Sequence, residues 1–398
     1  MISVNLMNLR TALFHLDEEG TVAFNKLREG KDGLARCGTM DSNEFVLWST
    51  LMPYVSMVPY AGPLLKNIGP TFVIMNRAAF AHFIQSLDKN ADYAGNPSVA
   101  VIRKQVSDHT IFSTTDRASH GRKREIIKHD FVRIDRCRIE EKVKTWIARM
   151  PRNADLNVHD WVTSLVADVF ATFIGHTTAN ATLLRCVSEF QDGASTFGTS
   201  SSFESAAFYK GLLCHNPAME EDDVLTLIKV GFGNIHSMMT SMIRRLASSF
   251  EKVRQAIGSD KVSLDLNSAS AANRFFVACY ALAPPVWIMG RKVGDAPMVV
   301  HDVTLPPHTL MLVPWFHLLR AQYGSAFDMD RFTEQDVKTI APFSVGANSC
   351  IGRYLATPLL ECVLEQLLQN KIRLISASDE YEGKVFLKQK VSPIICIE

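Results

Sequence analysis

The segment from residue 343 to 353 constrains this chain more than any other, because it carries a cysteine into the start of a long helix. It reads FSVGANSCIGR, and beyond it apolar residues recur at helical spacing to about Gln369. Gly346 allows a turn with positive φ, and Gly352 removes a side chain close to Cys350. The N-terminus of a helix stabilises a thiolate through its dipole and its unpaired N–H groups. We therefore predict that Cys350 binds a metal in a loop that a large planar group approaches.

Taken alone, a cysteine in a turn with glycines is more often a structural thiol than a ligand. The order of Phe343, Gly346, Cys350 and Gly352 changes this interpretation, because it resembles the cysteine-ligand loop of the cytochrome P-450 family. The resemblance implies a mainly α-helical fold, a helical bundle around haem b with small β-sheets, and Cys350 as the axial ligand of the iron. One departure is Asn348, where the family usually has an Arg that holds a haem propionate. We expect weaker haem anchoring at that point.

The length of the chain is compatible with one large fold around such a group. At 398 residues it exceeds the roughly 250–300 residues that one hydrophobic core usually fills. No repeat, low-complexity tract or linker marks a boundary, so we predict a single domain over 1–398. Within it we expect an atypical N-terminal region at 1–68, a central distal helix at 221–253, and the cysteine loop with its proximal helix at 343–369.

Composition excludes several classes of function. There are 42 basic and 41 acidic residues, a net charge of +1, and no long basic block, which argues against a nucleic-acid partner. The eight cysteines include no CxxC pair, which argues against a zinc site, an iron–sulfur cluster or a disulfide scaffold and favours a reducing compartment. The apolar stretch 45–61 contains two prolines and is shorter than the roughly 20 residues of a membrane-spanning helix. We predict a chain without a transmembrane segment, either cytoplasmic or peripheral on an intracellular membrane.

Hydrophobic periodicity predicts the secondary structure around these motifs. Helices are expected at 77–87, 120–144, 155–176, 221–253 (interrupted at Gly231 and Gly233) and 273–282, and strands at 69–76, 287–293, 298–303 and 309–314.

Other segments agree with the resemblance, from about Gly69 to the C-terminus. DRASHGRKR resembles the family helix that offers a His and an Arg to the haem propionates, which implies this role for His120 and Arg124. Without the resemblance, a solvated helix face explains these two residues equally well. Arg291 lies where the family often places another propionate ligand. The segment FDMDRF, which contains Arg331, resembles the meander that precedes the cysteine loop.

Two departures from the family concern its most characteristic pairs. The first is the Glu-x-x-Arg pair of the helix before Pro284-Pro285, which holds the meander through an ion pair. Ala278 and Ala281 stand at these positions, so Arg331 loses its expected partners. A buried, unpaired Arg is costly, so we expect backbone carbonyls or Glu334 to satisfy it. The alternative is a different register, although no other Glu-x-x-Arg lies nearby.

The second departure lies in the central helix, where the family has an acid followed by Thr to deliver protons to oxygen. The sequence here is VGFGNIH, and it contains neither the acid nor the hydroxyl. Asn234 resembles one branch of the family, which includes prostacyclin synthase and cholesterol 7α-hydroxylase. His236 is a candidate distal acid–base group because a histidine pKa is easily tuned to neutral pH. The competing interpretation is that His236 is an ordinary core or exposed histidine.

These observations predict a haem-thiolate oxidoreductase of the monooxygenase type that acts on a hydrophobic small molecule, such as a lipid or terpenoid-like metabolite. The catalytic candidates are Asn234 and His236. An NADPH-dependent reductase is the expected redox partner, and the chain is expected to be a monomer. One alternative is a haem-thiolate isomerase, lyase or dehydratase that needs no oxygen. Another is a non-catalytic family member that binds haem or a hydrophobic ligand.

Overall fold

The structure of the chain is a computed structural model. It describes short strands at 13–16, 71–75 and 91–92 and, from 109 to 398, all residues except 113, 115–116, 134–135, 174–178, 180, 182, 185–218, 259–260, 287–288, 301–302, 309, 314, 345–348, 380 and 384–386. The predicted helix 77–87 and the apolar stretch 45–61 lie outside the described residues. Within the described residues, no helix is both long and apolar enough to cross a bilayer.

Helices dominate the described part of the chain. They are α1 (Arg117–Arg133), α2 (Arg136–Ala148), α3 (Val158–Phe173), α4 (Glu221–Ser248), α5 (Phe250–Ile257), α6 (Ala271–Leu282), α7 (Trp315–Tyr323), α8 (Glu334–Ile340) and α9 (Arg353–Leu368), with a 3-10 helix at Met329–Arg331. Small sheets complete the fold, so the predicted mainly α-helical class is confirmed.

The strands form four sheets. They are β1 (Leu13–Leu16), β2 (Thr71–Met75), β3 (Ala91–Asp92), β4 (Asp155–Asn157), β5 (Met289–Val293), β6 (Met298–Val300), β7 (Val303–Leu305), β8 (Leu310–Val313), β9 (Ile372–Ser376), β10 (Tyr381–Gly383), β11 (Leu387–Gln389) and β12 (Ile394–Ile397). The largest sheet has the order β1-β2-β8-β5-β3 and is mixed, because β1, β2 and β8 run parallel while β8, β5 and β3 pair antiparallel. The others, β4-β12-β9, β10-β11 and β6-β7, are antiparallel.

Helix α4 runs through the core and contacts α3, α6 and α9. Three acidic residues in its first turn, 221–223, favour its N-terminus electrostatically. The predicted interruption at Gly231 and Gly233 is wrong, because the helix continues through both positions. A Cβ at Gly231 would lie 3.1 Å from the Phe170 ring, so this glycine serves the close approach of α3.

Helix α9 is held against α2 by a largely buried ion-pair cluster. Arg136 of α2 pairs with Glu361 and, at 2.9 Å, with Glu365. The two carboxylates also accept the backbone N–H groups of Leu264 and Val262, each at 2.8 Å. Because every charge in the cluster has a partner, it fixes the helix that follows Cys350.

Candidate functional site

The loop before α9 holds Cys350 by hydrogen bonds. The Cys350 N–H donates to the carbonyl of Phe343 at 2.7 Å, and the Cys350 sulfur accepts the N–H groups of Gly352 and Arg353. Gly352 has an ordinary right-handed conformation, so no positive φ requires a glycine there. A Cβ at Gly352 would instead lie 3.5 Å from the Cys350 sulfur, in ordinary van der Waals contact with the predicted ligand atom.

The Cys350 side chain is exposed, yet desolvation by the surrounding protein raises the pKa of its thiol. The two sulfur hydrogen bonds and the charges of Arg124 and Arg353 act in the opposite direction, and they favour the thiolate. Cys350 is thus an exposed residue whose thiol is partly desolvated by the protein around it.

Helix α1 brings Arg124 to this loop, and His120 lies one turn before Arg124 on the same helix. The Arg124 guanidinium donates to the carbonyl of Ser349 at 2.7 Å, beside the cysteine. Burial, and then the charge of Arg124, lower the pKa of His120, so its imidazole is neutral at neutral pH. A cation and a neutral imidazole within one helical turn suit a carboxylate-bearing ligand next to Cys350.

The middle of α4 carries a half-exposed patch within an otherwise buried helix. Of the side chains described between 223 and 247, only Val230, Gly231, Gly233 and Asn234 are not buried. The patch lies where the sequence lacks the acid and Thr. Val230 was not among the predicted site residues, although its position one turn before Asn234 gave the necessary signal.

The Asn234 carboxamide has a defined orientation. Its Nδ2 donates to the carbonyl of Val230 at 2.9 Å, and because a carbonyl only accepts, the nitrogen must face it. Its Oδ1 is buried and has no hydrogen-bond partner. An unsatisfied buried acceptor is costly and thus marks a place for a ligand or water donor. Asn234 therefore presents an acceptor and no spare donor.

His236 occupies a different side of α4. It is 6% exposed, its Nε2 lies 3.3 Å from the carbonyl of His159, and its ring stacks on Phe232 with centroids 6.2 Å apart. Two residues along a helix correspond to a rotation of about 200°, so His236 and Asn234 point in nearly opposite directions. The structure does not bring these two candidates together.

The residues that replace the family's Glu-x-x-Arg pair are fully packed, since Ala278 and Ala281 are 0% and 1% exposed. The expectation of a buried Arg331 is wrong, because 56% of its side chain is exposed. It pairs with Asp328 at 3.4 Å and donates to the carbonyl of Tyr323 at 3.3 Å. The predicted carbonyl partner is present, whereas Glu334 pairs with Lys338 instead.

The residues present fit a haem. The exposed residue Cys350 supplies a thiol as metal ligand, and His120 and Arg124 suit the haem propionates. The unpaired Oδ1 of Asn234 suits a bound hydrogen-bond donor. The remaining candidates cannot be placed in the same way. Arg291 lies on β5, but its side chain is outside the described residues, and so are Gly346 and Asn348.

Comparisons with known proteins agree with this geometry. The family model for cytochrome P450 matches residues 282–381. Cytochrome P450 monooxygenase tpeC of Talaromyces stipitatus is 28% identical over 143 residues, which cover 32% of this chain and 28% of that protein. Tryprostatin B 6-hydroxylase of Aspergillus fumigatus is 23% identical over 195 residues, which cover 40% of this chain and 34% of that protein. The matched part thus spans only about a third of these relatives.

Solved structures resemble the fold over most of the chain. CYP175A1 from Thermus thermophilus superimposes with a TM-score of 0.67 at 15% identity, covering 88% of this chain and 96% of that one. P450BioI, solved in complex with an acyl carrier protein carrying hexadec-9Z-enoic acid, gives a TM-score of 0.63 at 13% identity over 88% and 98%. At these sequence identities, the likeness shows a shared fold and nothing about the substrate.

Proposed function

We propose that this chain, which belongs to the cytochrome P450 family as a divergent member, is a haem-thiolate monooxygenase of a hydrophobic small molecule. The observation that carries the proposal is Cys350, an accessible thiol whose sulfur accepts two backbone N–H groups at the start of α9. The family implies a haem cofactor, and we propose haem b. When bound through a thiolate, this group supplies oxygen-activation chemistry, because the sulfur donates electron density that favours O–O cleavage.

The residues of the chain would hold the haem and orient its thiolate ligand. Gly352 and Arg353 stabilise the sulfur anion through their N–H groups. Arg124 and His120 would bind the propionates, with Arg291 as a third candidate, and the absence of a side chain at Gly352 keeps the approach to the sulfur open. These roles account for binding and for the electronic effect of the ligand.

Asn234 would act as a hydrogen-bond acceptor. Its Nδ2 is engaged by Val230, so its Oδ1 is free to orient a water or a hydroxyl or N–H group of the substrate. It has no proton to deliver, so it orients a donor and does not replace the missing acid. His236 stays a candidate acid–base group, although its contacts with His159 and Phe232 favour packing.

The substrate class is proposed from the relatives and from the half-exposed patch. Two fungal proteins named as a monooxygenase and a hydroxylase match parts of this chain, which supports a lipid, a terpenoid or another hydrophobic product of natural-product biosynthesis. We propose an NADPH-dependent reductase as the electron donor and a monomeric enzyme. Its expected location is cytoplasmic or peripheral on an intracellular membrane.

An absorption spectrum of the purified protein tests the proposal directly. After reduction under carbon monoxide, we expect the red-shifted Soret band of a thiolate–carbonyl complex, and Cys350→Ala should abolish that band. Cys362→Ala is the matched control, because Cys362 is buried within α9. Burial is the main reason that the pKa of its thiol is raised to about 12, so this thiol is not a ready metal ligand. A folded wild-type protein that retains no haem would refute the proposal.

A second candidate is a haem-thiolate isomerase, lyase or dehydratase that needs no external electrons. The observation in its favour is that Gly233 and Asn234 occupy the half-exposed patch without an acid or a hydroxyl. Turnover of a candidate substrate without oxygen or reductase would support it. Product that forms only with reductase and carries the label of oxygen gas would exclude it.

A further inference from the structure

Helix α6 carries two neighbouring phenylalanines that pair with rings on two different segments. Phe275 meets Phe327 edge-on, with ring centroids 5.8 Å apart and an interplanar angle of 82°. Phe276 stacks on Phe343, with centroids 5.9 Å apart and an angle of 21°. Both α6 rings are buried, at 0% and 1% exposure. One ring thus reaches the segment before the 3-10 helix, and the other reaches the cysteine loop.

Among the residues that the structure describes, no ion pair joins α6 to these two segments. Ala278 and Ala281, on the same helix, have no polar side-chain atoms, and Arg331 forms its ion pair with Asp328 at the surface. An ion pair this exposed adds little to stability because solvent screens it. The contact between α6 and the loop is therefore made by apolar and aromatic packing, whose geometry is specific.

The Phe276–Phe343 stack acts on the backbone that holds the cysteine. The Phe343 carbonyl accepts the Cys350 N–H at 2.7 Å. The loop also passes through Ala341 and Ser344, whose φ angles of 43° and 58° lie in the left-handed region. Residues with a Cβ adopt that region only when their surroundings hold them there. A ring fixed at Phe343 therefore constrains a strained loop, and the conformation of this loop sets the position of Cys350.

We infer that Phe276 is a positioning residue for the metal ligand: its ring stacks on Phe343 and holds the loop that presents Cys350, a task for which helix α6 has no Glu-x-x-Arg pair. The role of the sulfur as iron ligand rests on the proposed function. The inference that the stack holds the loop does not depend on the proposed function, so each of the two can be refuted without the other.

The first test compares Phe276→Leu with Phe275→Leu in the full chain loaded with haem. Both variants replace a fully buried ring on α6, but only the first removes the stack on the loop. Under carbon monoxide, we expect Phe276→Leu to convert from the red-shifted thiolate form to the blue-shifted form roughly two- to tenfold faster than wild type, the factor that one aromatic pair supports. Phe275→Leu should convert at the wild-type rate. Equal rates in both variants would overturn the inference.

A second readout does not require haem. The Cys350 amide is hydrogen-bonded, so its hydrogen exchange reports on the loop. Phe276→Leu should accelerate that exchange relative to Phe275→Leu, and Phe343→Leu, a change at a half-buried position, should do the same if Phe276→Leu does not fold. The double variant should be no faster than either single variant. Unchanged or additive exchange would refute the role of the stack, whereas a wild-type protein without a thiolate–carbonyl band would refute only the proposed function.

Discussion

Replacing Asn234 by Leu should change stability and activity in opposite directions. The buried Oδ1 of Asn234 has no partner, which costs about 1–3 kcal/mol in the protein without ligand. Leu also has the higher helix propensity, by roughly 0.5 kcal/mol. Against these gains stands the loss of one hydrogen bond to the Val230 carbonyl, about 1 kcal/mol, and that carbonyl keeps its helical partner. We expect Asn234→Leu to raise the free energy of unfolding by about 1 kcal/mol.

Activity should fall in the same variant because the oriented acceptor is lost. We expect kcat/KM to decrease roughly tenfold or more, the value of one hydrogen bond to a donor that would otherwise be unpaired. Urea denaturation of the haem-free protein measures the first effect, and product formation with a candidate hydrophobic substrate measures the second.

Asn273→Leu is the matched control for this experiment. The Asn273 Oδ1 is also buried without a partner, but its Nδ2 donates to the carbonyls of Asp265 and Ser268 and to the Ser268 hydroxyl. Losing three hydrogen bonds at a residue that is 0% exposed costs about 3 kcal/mol, which exceeds the gain of about 2 kcal/mol from removing the unpaired Oδ1, so Asn273→Leu should lower the free energy of unfolding by about 1 kcal/mol. If Asn234→Leu loses stability to the same extent, then Asn234 is a structural residue and its assignment to the site is wrong.

Two further predictions concern α1 and α4. Lys123→Met removes the ion-pair partner of Asp223 and leaves it the Ile111 N–H; burial is the largest cause that raises the pKa of this carboxyl. Because the folded pKa of Asp223 lies above its unfolded value, this carboxyl stabilises the fold at low pH, and that stability is lost as the pH rises through the folded pKa. The variant leaves the ionised carboxylate without its cation, so its loss in free energy of unfolding should be larger near about pH 8 than near about pH 5. Urea denaturation at both values checks this, with the exposed Lys144→Met as control, and a deficit independent of pH would contradict it. The Cβ of Gly121→Ala would meet open space at a helical position, so this variant should raise the free energy of unfolding by about 0.5–1 kcal/mol. Gly231→Ala crowds a phenylalanine ring of α3 and should not raise it. Thermal unfolding measures both effects, and equal stabilisation of the two variants would show that α3 shifts to accommodate the added methyl group.

The sequence by itself determined the local features of this protein. Apolar spacing located α6 and α9, and it placed the cysteine loop directly before α9. The loop pattern also indicated the family, because spacing along the chain survives when overall identity is low. These features depend on neighbours within a few residues, which a sequence displays directly. The narrower likeness to one branch of the family and the roles of the individual site residues stay predictions.

Sequence reasoning failed where burial and long-range contacts decide. It did not identify α7 or the strands β9 to β12, and it placed Arg331 in the interior. The charge of Arg331 was assumed to need a buried partner, but its position is set by how the segment folds over α6. Apolar helix residues also give no sign of which neighbour they will meet.

Only the tertiary structure separated the candidates on α4. Asn234 and His236 are two residues apart in the sequence, yet one lies on the half-exposed patch and the other packs on His159. Likewise, no pattern in the sequence shows that Phe276 stacks on Phe343, 67 positions away. The physical reason is that the sequence fixes the angle between side chains on a helix, whereas the direction in which the helix presents them depends on everything packed around it.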